Sequence, residues 1–311
     1  MSGKVLITGA FGNLGSWISL YLAKNGYEVY LLTRKESQIF DNITYNIIEC
    51  DITNISDLTK KLDFNIDFCV HCASFNESFL DDYSKKALEI NTLGTRNLLE
   101  VLSGKVKRNF LYFSTFHVYG KNSGVITEES SLNPQNDYAT THLFAEYYVK
   151  QFASTHNLPY TIVRLTNSYG SPTFKDSTKW YLVLNDLVKS AYENKKIVLK
   201  SNGKAKRDFI WMGDVATVVT KIFDIDATND IYNLSSRRSY EILELANIVK
   251  YEYQKKYNKT IEIEINNDDK IIYDDIFIKN NKLKAIINFD VSDKINDEVN
   301  KIFDLLENVN E

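Results

Sequence analysis

The stretch that decides the fold is KVLITGAFGNLG, which runs from Lys4 to Gly15. An apolar run ends at Thr8, and glycines then follow at three-residue spacing. Between a strand and a helix, such glycines allow a tight bend, close approach of a pyrophosphate to the backbone, and close packing of helix on strand. The pattern predicts a dinucleotide site, against the alternative of an ordinary glycine-containing turn. The turn residues that we expect to contact the dinucleotide are Gly9, Phe11, Gly12, Asn13, Leu14 and Gly15.

Short β-rich runs alternate with helical patterns through the first half of the chain. The expected strands are Lys4–Thr8, Glu28–Thr33, Thr44–Glu49, Ile66–His71, Asn109–Ser114 and Tyr160–Leu165. The expected helices are about Leu14–Lys24, Ser56–Lys61, Ser84–Leu102 and Tyr138–Thr155. This alternation is typical of right-handed βαβ crossovers, which give a parallel sheet with helices on both faces. We therefore predict the α/β class, with a Rossmann-type doubly wound parallel sheet.

The alternation weakens after Gly170. The later patterns predict helices at about Trp180–Glu193, Gly213–Phe223 and Tyr240–Tyr251, and strands at Ile197–Lys200 and Arg207–Trp211. From Lys255 the chain is rich in Asn, Asp, Lys and Ile. We interpret this part as a smaller α+β C-terminal substrate domain over the ends of the sheet. The predicted NAD(P)-binding domain is 1–170 with a returning segment at about 207–234, and the substrate domain is 171–206 with 235–311.

Composition argues against several classes of function. The 311 residues carry 37 Lys+Arg against 41 Asp+Glu, so no basic excess indicates nucleic acid. The sequence has no signal-peptide pattern and no apolar run near the roughly 20 residues that cross a bilayer, so we expect a cytoplasmic protein without a membrane partner. Three cysteines do not suggest a disulfide framework. Cys69 and Cys72 point to opposite faces of a strand, so we expect core packing and no metal.

The end of the second strand bears on the choice between NAD and NADP. An NAD site usually has Asp or Glu there, which binds the ribose 2′-hydroxyl. Here Arg34 and Lys35 follow the strand, and their charges favour NADP slightly unless both are only solvated surface groups. Asp51, with Ile52, follows the third strand and is placed to reach the adenine or its ribose.

Ordered motifs continue along nearly the whole chain. They are VHCAS (Val70–Ser74), NTLGTRNLL (Asn91–Leu99), FSTFHVYG (Phe113–Gly120), RLTNSYG (Arg164–Gly170) and RDFIWMGD (Arg207–Asp214). In this order they resemble the extended short-chain dehydrogenase/reductase family, and within it the nucleotide-sugar epimerases and dehydratases. The resemblance implies a nucleotide-sugar substrate and a homodimer or larger assembly, formed by the helices near Ser84–Leu102 and Tyr138–Thr155. The apolar residues expected on these helix faces are Leu88, Leu98, Leu99, Phe144 and Tyr148.

The resemblance also implies which residues act. Tyr138 would be the acid–base group, because a phenol of lowered pKa can accept the proton of a sugar hydroxyl. Thr115 would hydrogen-bond the reacting oxygen. Besides the turn, the residues implied to contact the cofactor are Cys72, Ala73, Ser74, Asn91, Tyr138 and His142. Those implied to contact the substrate are Thr115, Phe116, His117, Asn167 and Arg207. The Arg207 guanidinium suits a diphosphate, unless it only pairs with Asp208.

His142 departs from the family pattern Y-x-x-x-K, in which the lysine binds the nicotinamide ribose and lowers the tyrosine pKa. Glu146 keeps its expected place, so the alignment has not slipped. Tyr138 and His142 are four apart and share one helix face. Three hypotheses follow: a protonated His142 does the work of the lysine, Tyr138 is poorly activated in a slow enzyme, or the site has lost catalysis. A histidine without a role is the fourth possibility.

Phe116 and His117 stand where family 4,6-dehydratases have Asp and Glu for the elimination step. We therefore expect no dehydration. The expected reaction is hydride transfer at a sugar carbon, with C4 favoured, as oxidation of an alcohol or reduction of a ketone. Epimerisation through a transient ketone is the alternative. A non-catalytic NAD(P)-binding protein is the alternative of another class, and the substitution at His142 keeps it open.

Overall fold

The computed structural model describes residues 3–34, 39–41, 43–174, 179–225 and 227–308. Its strands are β1 Lys4–Thr8, β2 Glu28–Thr33, β3 Asn46–Glu49, β4 Ile66–His71, β5 Val106–Thr115, β6 Gly124–Ile126, β7 Tyr160–Leu165, β8 Asn167–Tyr169, β9 Lys196–Val198, β10 Lys206–Trp211, β11 Asp230–Leu234, β12 Ser239–Glu241, β13 Glu262–Glu264 and β14 Ile276–Ile278. Its α-helices are α1 Asn13–Lys24, α2 Ile55–Lys61, α3 Tyr83–Ala87, α4 Thr95–Leu102, α5 Asp137–His156, α6 Val183–Asn194, α7 Met212–Phe223, α8 Ile242–Tyr257, α9 Asn281–Lys284 and α10 Ile295–Glu307.

Seven parallel strands form the central sheet, in the order β11-β7-β5-β4-β1-β2-β3. The chain runs outward from β1 to β3 and then returns to β4 on the other side of β1. This reversal leaves a crevice at the carboxyl ends of β1 and β4, where open α/β sheets bind their ligands. The predicted Rossmann-type sheet is therefore confirmed.

Helices cover both faces of the sheet because the central strands are apolar on both sides. One core contains Ile18 of α1 and Val215 of α7, together with Val5 and Val70 of the sheet. The opposite core contains Leu58 of α2, Leu98 and Leu99 of α4, and Val149 and Phe152 of α5. Such two-sided burial is what fully apolar parallel strands require.

The later part of the chain forms small sheets and a separate helical core. β8, β10 and β12 form one sheet, β9 pairs with β13, and β6 pairs with β14. The helices α6, α8 and α10 pack around a third core that includes Leu187, Val249 and Phe303. β11 returns to the edge of the central sheet beside β7.

Several elements differ from the sequence-based expectation, of which three are helical. The helix expected over Ser84–Leu102 contains a π-helical stretch, Leu88–Gly94, between α3 and α4. At its end a Cβ on Gly94 would lie 2.7 Å from the Ile52 side chain, so this tertiary contact requires glycine. α8 continues to Tyr257, beyond the expected end at Tyr251. α10, with acidic residues in its first turn, had no individual prediction.

Candidate active site

The glycine turn between β1 and α1 is closely packed. Gly9 has a φ of +63°, and a Cβ there would lie 2.8 Å from the backbone of Ala73. A Cβ on Gly15 would lie 2.1 Å from the carbonyl oxygen of Gly9, and one on Gly12 would lie 3.0 Å from the same oxygen. Side chains at Gly9 and Gly15 would force the turn open, and one at Gly12 would crowd it.

The residues of this turn fit a dinucleotide. α1 begins after Gly12 without a side-chain cap and without an acidic residue in its first turn. Its first N–H groups and the positive end of its dipole are therefore available to an anion. Asn13 adds a buried Oδ1 atom that has no hydrogen-bond partner among the described residues, and Asn13 lines the adjoining cavity. A bound ligand would supply the polar contact that this atom lacks.

The other residues expected near the adenine end of the dinucleotide differ in burial and in the groups that they contact. Phe11 stacks on Phe40, with ring centroids 5.1 Å apart. Oδ1 of Asp51 accepts bonds of 2.8 Å from both the backbone N–H and the hydroxyl of Thr53. Arg34 is exposed at the end of β2, Ile52 is buried against Gly94, and Lys35 lies outside the described residues.

The loop after β4 forms one wall of the crevice. Cys72 and Ser74 line the cavity, whereas Ala73 packs against Gly9. Asn91 is buried behind this loop, where its Oδ1 accepts from Phe75 N at 2.7 Å and its Nδ2 donates to Phe75 O at 3.1 Å. Its amide is thus held by the protein. Asn91 supports the loop that contacts the cavity and is not itself part of the cavity wall.

A cavity of about 370 Å³ extends from the glycine turn to β10. It is bordered by the carboxyl ends of β4, β5 and β7, by the start of α5, and by the segment before α6. The sequence-predicted residues that line it are Asn13, Leu14, Cys72, Ser74, Thr115, Phe116, His117, Tyr138, His142, Asn167 and Arg207. Residues implied for cofactor, chemistry and substrate therefore share one cavity.

Tyr138 lies in the first turn of α5, which Asn136 caps by accepting from Ala139 N at 2.9 Å. Burial raises the pKa of Tyr138 to about 12, although the Thr115 hydroxyl on the same cavity lowers it. Tyr138 is therefore a neutral phenol at neutral pH, and the lowered pKa that the family resemblance implies is not found.

His142 lies one turn further along α5, with its ring centroid 4.5 Å from that of Tyr138. Its Nδ1 is 2.7 Å from the hydroxyl of Tyr112, and its Nε2 is 2.9 Å from the hydroxyl of Ser74. Burial, together with the neighbouring His71 and His117, lowers the pKa of His142 to about 3. The imidazole is neutral at neutral pH, which argues against a protonated His142 that replaces the lysine charge.

A buried polar network supports α5 from behind. The Glu146 carboxylate accepts from Ser114 Oγ at 2.6 Å and from Arg164 Nε and Nη2 at 2.9 and 2.7 Å. Arg164 also donates to the Tyr119 hydroxyl at 3.0 Å, and that hydroxyl donates to Asn233 at 2.7 Å. The network joins α5 to β5, β7 and β11 beneath the cavity. Glu146 stands out in the sequence by its place in the family pattern, whereas no sequence signal indicates this network or Tyr112.

The substrate side of the cavity is formed by β5, β8 and β10. Asn167 donates to the Asp208 carbonyl at 3.0 Å, and the Asp208 carboxylate accepts from Thr166 at 2.7 Å. Arg207 shows no ion pair with Asp208, and it lies exposed at the edge of the cavity. Burial and the nearby Arg207 lower the pKa of His117 to about 4, so His117 is also neutral.

The structure also bears on the expectations for metals and membranes. Within the described ranges, no group of three or more His, Cys, Asp or Glu side chains has an arrangement that could bind a metal ion. None of the helices in the same ranges is long and apolar enough to cross a membrane.

The fold and this cavity define a Rossmann-type protein with a tight glycine turn and an adjoining cavity. The chain belongs to the NAD dependent epimerase/dehydratase family, whose model matches residues 5–235.

The chain is similar to both kinds of enzyme in the family name. It is 26% identical to a dTDP-D-glucose 4,6-dehydratase of Dictyostelium discoideum, over 78% of this chain and 60% of that protein. Among solved structures, a UDP-N-acetylglucosamine 4-epimerase from Methanobrevibacter ruminantium has a TM-score of 0.84 at 20% identity, with 99% of both chains covered. A UDP-glucuronic acid 4-epimerase from Bacillus cereus, in complex with NAD, has a TM-score of 0.81 at 20% identity and covers 99% of this chain and 100% of its own. At these identities the structural likeness establishes the fold.

Proposed function

We propose that the protein is an NAD-dependent enzyme that transfers hydride at a carbon of a nucleotide-activated sugar, with C4 as the favoured position. The observation that carries this proposal is the placement of Tyr138 and Thr115 together in the cavity that joins the glycine turn to Arg207. The relatives named above act on nucleotide sugars, which supports the same substrate class.

The side chains suggest how the reaction proceeds. Thr115 and Tyr138 hold the reacting sugar oxygen. In the reduction of a ketone, the neutral Tyr138 phenol donates its proton to that oxygen, and in the oxidation of an alcohol the Tyr138 phenolate accepts the proton of the hydroxyl. Arg207, at the edge of the cavity, binds the diphosphate through its planar fork of N–H donors. Bound NAD supplies the hydride acceptor or donor. The division into an NAD(P)-binding domain (1–170 with about 207–234) and a substrate domain (171–206 with 235–311) belongs to this proposal, and the separate core around α6, α8 and α10 supports it.

Dehydration is disfavoured by the chemistry of the cavity. Among the described residues that line it, none is Asp or Glu. Phe116 and His117 occupy the two positions at which the family dehydratases have carboxylic acids. With a pKa of about 4, His117 is a neutral imidazole that cannot serve as a strong acid at neutral pH.

We propose NAD as the cofactor. The matching family is NAD dependent, and the Bacillus cereus relative is named as an NAD complex. The slight sequence preference for NADP rests on Arg34 and Lys35, and the comparisons do not support it. Calorimetric titration with NAD and with NADP tests this choice of cofactor. Tighter binding of NADP than of NAD, with the preference abolished by Arg34→Ala, would identify NADP as the cofactor instead.

We also propose a homodimer, with a corrected contact face. Leu98 and Leu99 are fully buried in the core and cannot face a partner. Leu88, Leu93 and Phe144 are instead 48%, 46% and 41% exposed on the same helices, as is Tyr147 at 53%. Light scattering should give twice the mass of one chain, and Phe144→Glu should halve it, whereas Val198→Glu on a distant exposed strand should not. A monomeric wild-type protein would contradict the proposal.

The function is tested by incubating the protein and NAD with UDP-, dTDP-, GDP- and CDP-hexoses. Absorbance of reduced nicotinamide reports net hydride transfer, and chromatography of the sugars reports their products. Net reduction of NAD, or reduction of a keto sugar by NADH, supports the oxidoreductase. Conversion to an epimer without net reduction identifies the epimerase alternative. NAD binding without turnover of any sugar of this set contradicts both and leaves the non-catalytic alternative.

A further inference from the structure

Tyr112 is a buried phenol whose hydroxyl bonds to His142 of the candidate active site. It lies on β5, is 1% exposed, and places its hydroxyl 2.7 Å from His142 Nδ1. Among the described residues its hydroxyl has no other hydrogen-bond partner. On the far side of the imidazole, His142 Nε2 lies 2.9 Å from the hydroxyl of Ser74, which is exposed in the cavity.

Both buried groups are neutral. Burial holds the pKa of Tyr112 well above its ordinary value, and burial lowers that of His142 to about 3. A neutral imidazole has one N–H donor and one acceptor nitrogen, so two arrangements of hydrogens are possible. In the first, Tyr112 donates to Nδ1, Nε2–H donates to Ser74, and the Ser74 hydrogen points elsewhere. In the second, both bonds are reversed.

The first arrangement is favoured because it leaves no buried hydrogen-bond donor of this series without an acceptor. In the second, the Tyr112 hydrogen has no acceptor among the described residues, and an unsatisfied buried donor is costly. The second arrangement also uses the Ser74 hydrogen on Nε2, so that the exposed hydroxyl could only accept from the cavity. In the first, every buried hydrogen has an acceptor and only the exposed Ser74 hydrogen remains available.

We propose that Tyr112 is a positioning residue that fixes His142 in its Nε2–H form, so that Ser74 presents a hydrogen-bond donor to a hydroxyl oxygen of the bound dinucleotide. The binding half of this inference rests on the proposed function, whereas the hydrogen arrangement does not. Ser74 follows Ala73, whose backbone packs against Gly9 of the glycine turn, and both Ser74 and His142 line the cavity, so this donor lies beside the turn. His142 stands at the position of the lysine in the family pattern, and Tyr112 and Ser74 complete a series of three neutral groups there.

Nitrogen-15 NMR of the full-length protein tests the arrangement without any activity measurement. Proton–nitrogen correlation spectra identify which ring nitrogen of a histidine carries hydrogen, and His142→Gln assigns the signal among the four histidines. We expect hydrogen on Nε2 of His142 at neutral pH, and a mixture of both forms in Tyr112→Phe. Tyr119→Phe is the matched control, since it removes another buried phenol from a separate network and should leave the His142 signal unchanged.

Calorimetric titration with NAD tests the binding half of the proposal, in which Ser74 donates a hydrogen bond to the dinucleotide. Ser74→Ala removes one neutral hydrogen bond and should weaken NAD binding about fivefold. Tyr112→Phe should weaken it too, and Tyr119→Phe should not. Hydrogen on Nδ1 in the wild type, or a His142 signal that Tyr112→Phe does not change, would overturn the inference. Wild-type protein with the expected spectrum but no NAD binding would instead refute the proposed function and the binding half, while the hydrogen arrangement would stand.

Discussion

Acid should destabilise this protein steeply, and the two histidines with the lowest pKa values, His71 and His142, account for a large part of the effect. His71 is fully buried between the hydroxyls of Thr8 and Thr95, at 2.6 and 2.8 Å, and His142 lies between those of Tyr112 and Ser74. Burial lowers the pKa of each to about 3. Between about pH 6 and pH 4 the unfolded chain therefore protonates both rings, whereas the folded chain leaves both neutral.

The size of the effect follows from proton linkage. Because the pKa of each histidine is lower in the folded state, the stability it confers is present at neutral pH and is lost as the pH falls through this window. Each histidine contributes about 1.4 kcal/mol per pH unit, so the pair contributes nearly 3 kcal/mol per unit. Over two units this is about 5 kcal/mol, comparable to the whole stability of many domains.

Urea unfolding of the cofactor-free protein at a series of pH values measures this slope. Carboxylates also contribute, so the informative quantity is the difference between variants. His142→Gln should reduce the slope by about 1.4 kcal/mol per pH unit, the effect of one proton. His156→Gln, at an exposed position on α5, should leave the slope unchanged. An unchanged slope in His142→Gln would mean that His142 is protonated in the folded protein, and the account of a neutral site would fail.

Three further predictions concern the network, the turn and the departure from the family pattern. Glu146→Gln should lower the free energy of unfolding by about 3 kcal/mol, because it leaves the buried Arg164 guanidinium without its carboxylate. Glu100→Gln, which breaks an exposed ion pair with Arg96, should lower it by less than about 1 kcal/mol. Equal losses for the two variants in urea unfolding would contradict this prediction. Gly15→Ala should weaken NAD binding at least about tenfold in calorimetry, because the added Cβ lies 2.1 Å from a carbonyl oxygen; undiminished affinity would refute the packed turn. His142→Lys should lower by about one unit or more the pH at which Tyr138 titrates in the pH–rate profile, because an adjacent cation lowers the pKa of Tyr138. Oxidation, which uses the phenolate, should begin to rise at lower pH, and reduction, which uses the phenol, should begin to fall at lower pH; unmoved profiles would show that Tyr138 does not control the rate.

The sequence predicted the central sheet well because its signal is local. β1, β2, β4 and β7 begin and end at the residues expected, since each is a short β-rich run bounded by turn residues. The π-helical stretch was not predicted, because it accompanies a tertiary contact between Gly94 and Ile52. The apolar helix faces were only partly interpreted correctly, because periodicity does not distinguish a face that packs on the sheet from one left exposed.

The residue types of the site were also accessible from sequence, but their interactions were not. His142 stood out because it replaces a lysine, yet its state depends on Tyr112 and Ser74, which are 30 and 68 residues away along the chain. Asn91 was expected to touch the cofactor, and the structure places it behind the loop at Phe75. Hydrogen-bond partners of this kind depend on how β4, β5 and α5 pack together.

The proposed reaction depends on proton transfer between the Tyr138 hydroxyl and the oxygen on the reacting sugar carbon. Single-turnover hydride transfer should be measured with saturating NAD and the nucleotide sugar found active, in the wild type and in Tyr138→Phe. Tyr181→Phe is the control, because it removes another phenol from the same cavity. The account predicts a loss of at least about 100-fold in Tyr138→Phe with NAD affinity retained, and little change in Tyr181→Phe. Transfer at the wild-type rate in Tyr138→Phe would contradict it.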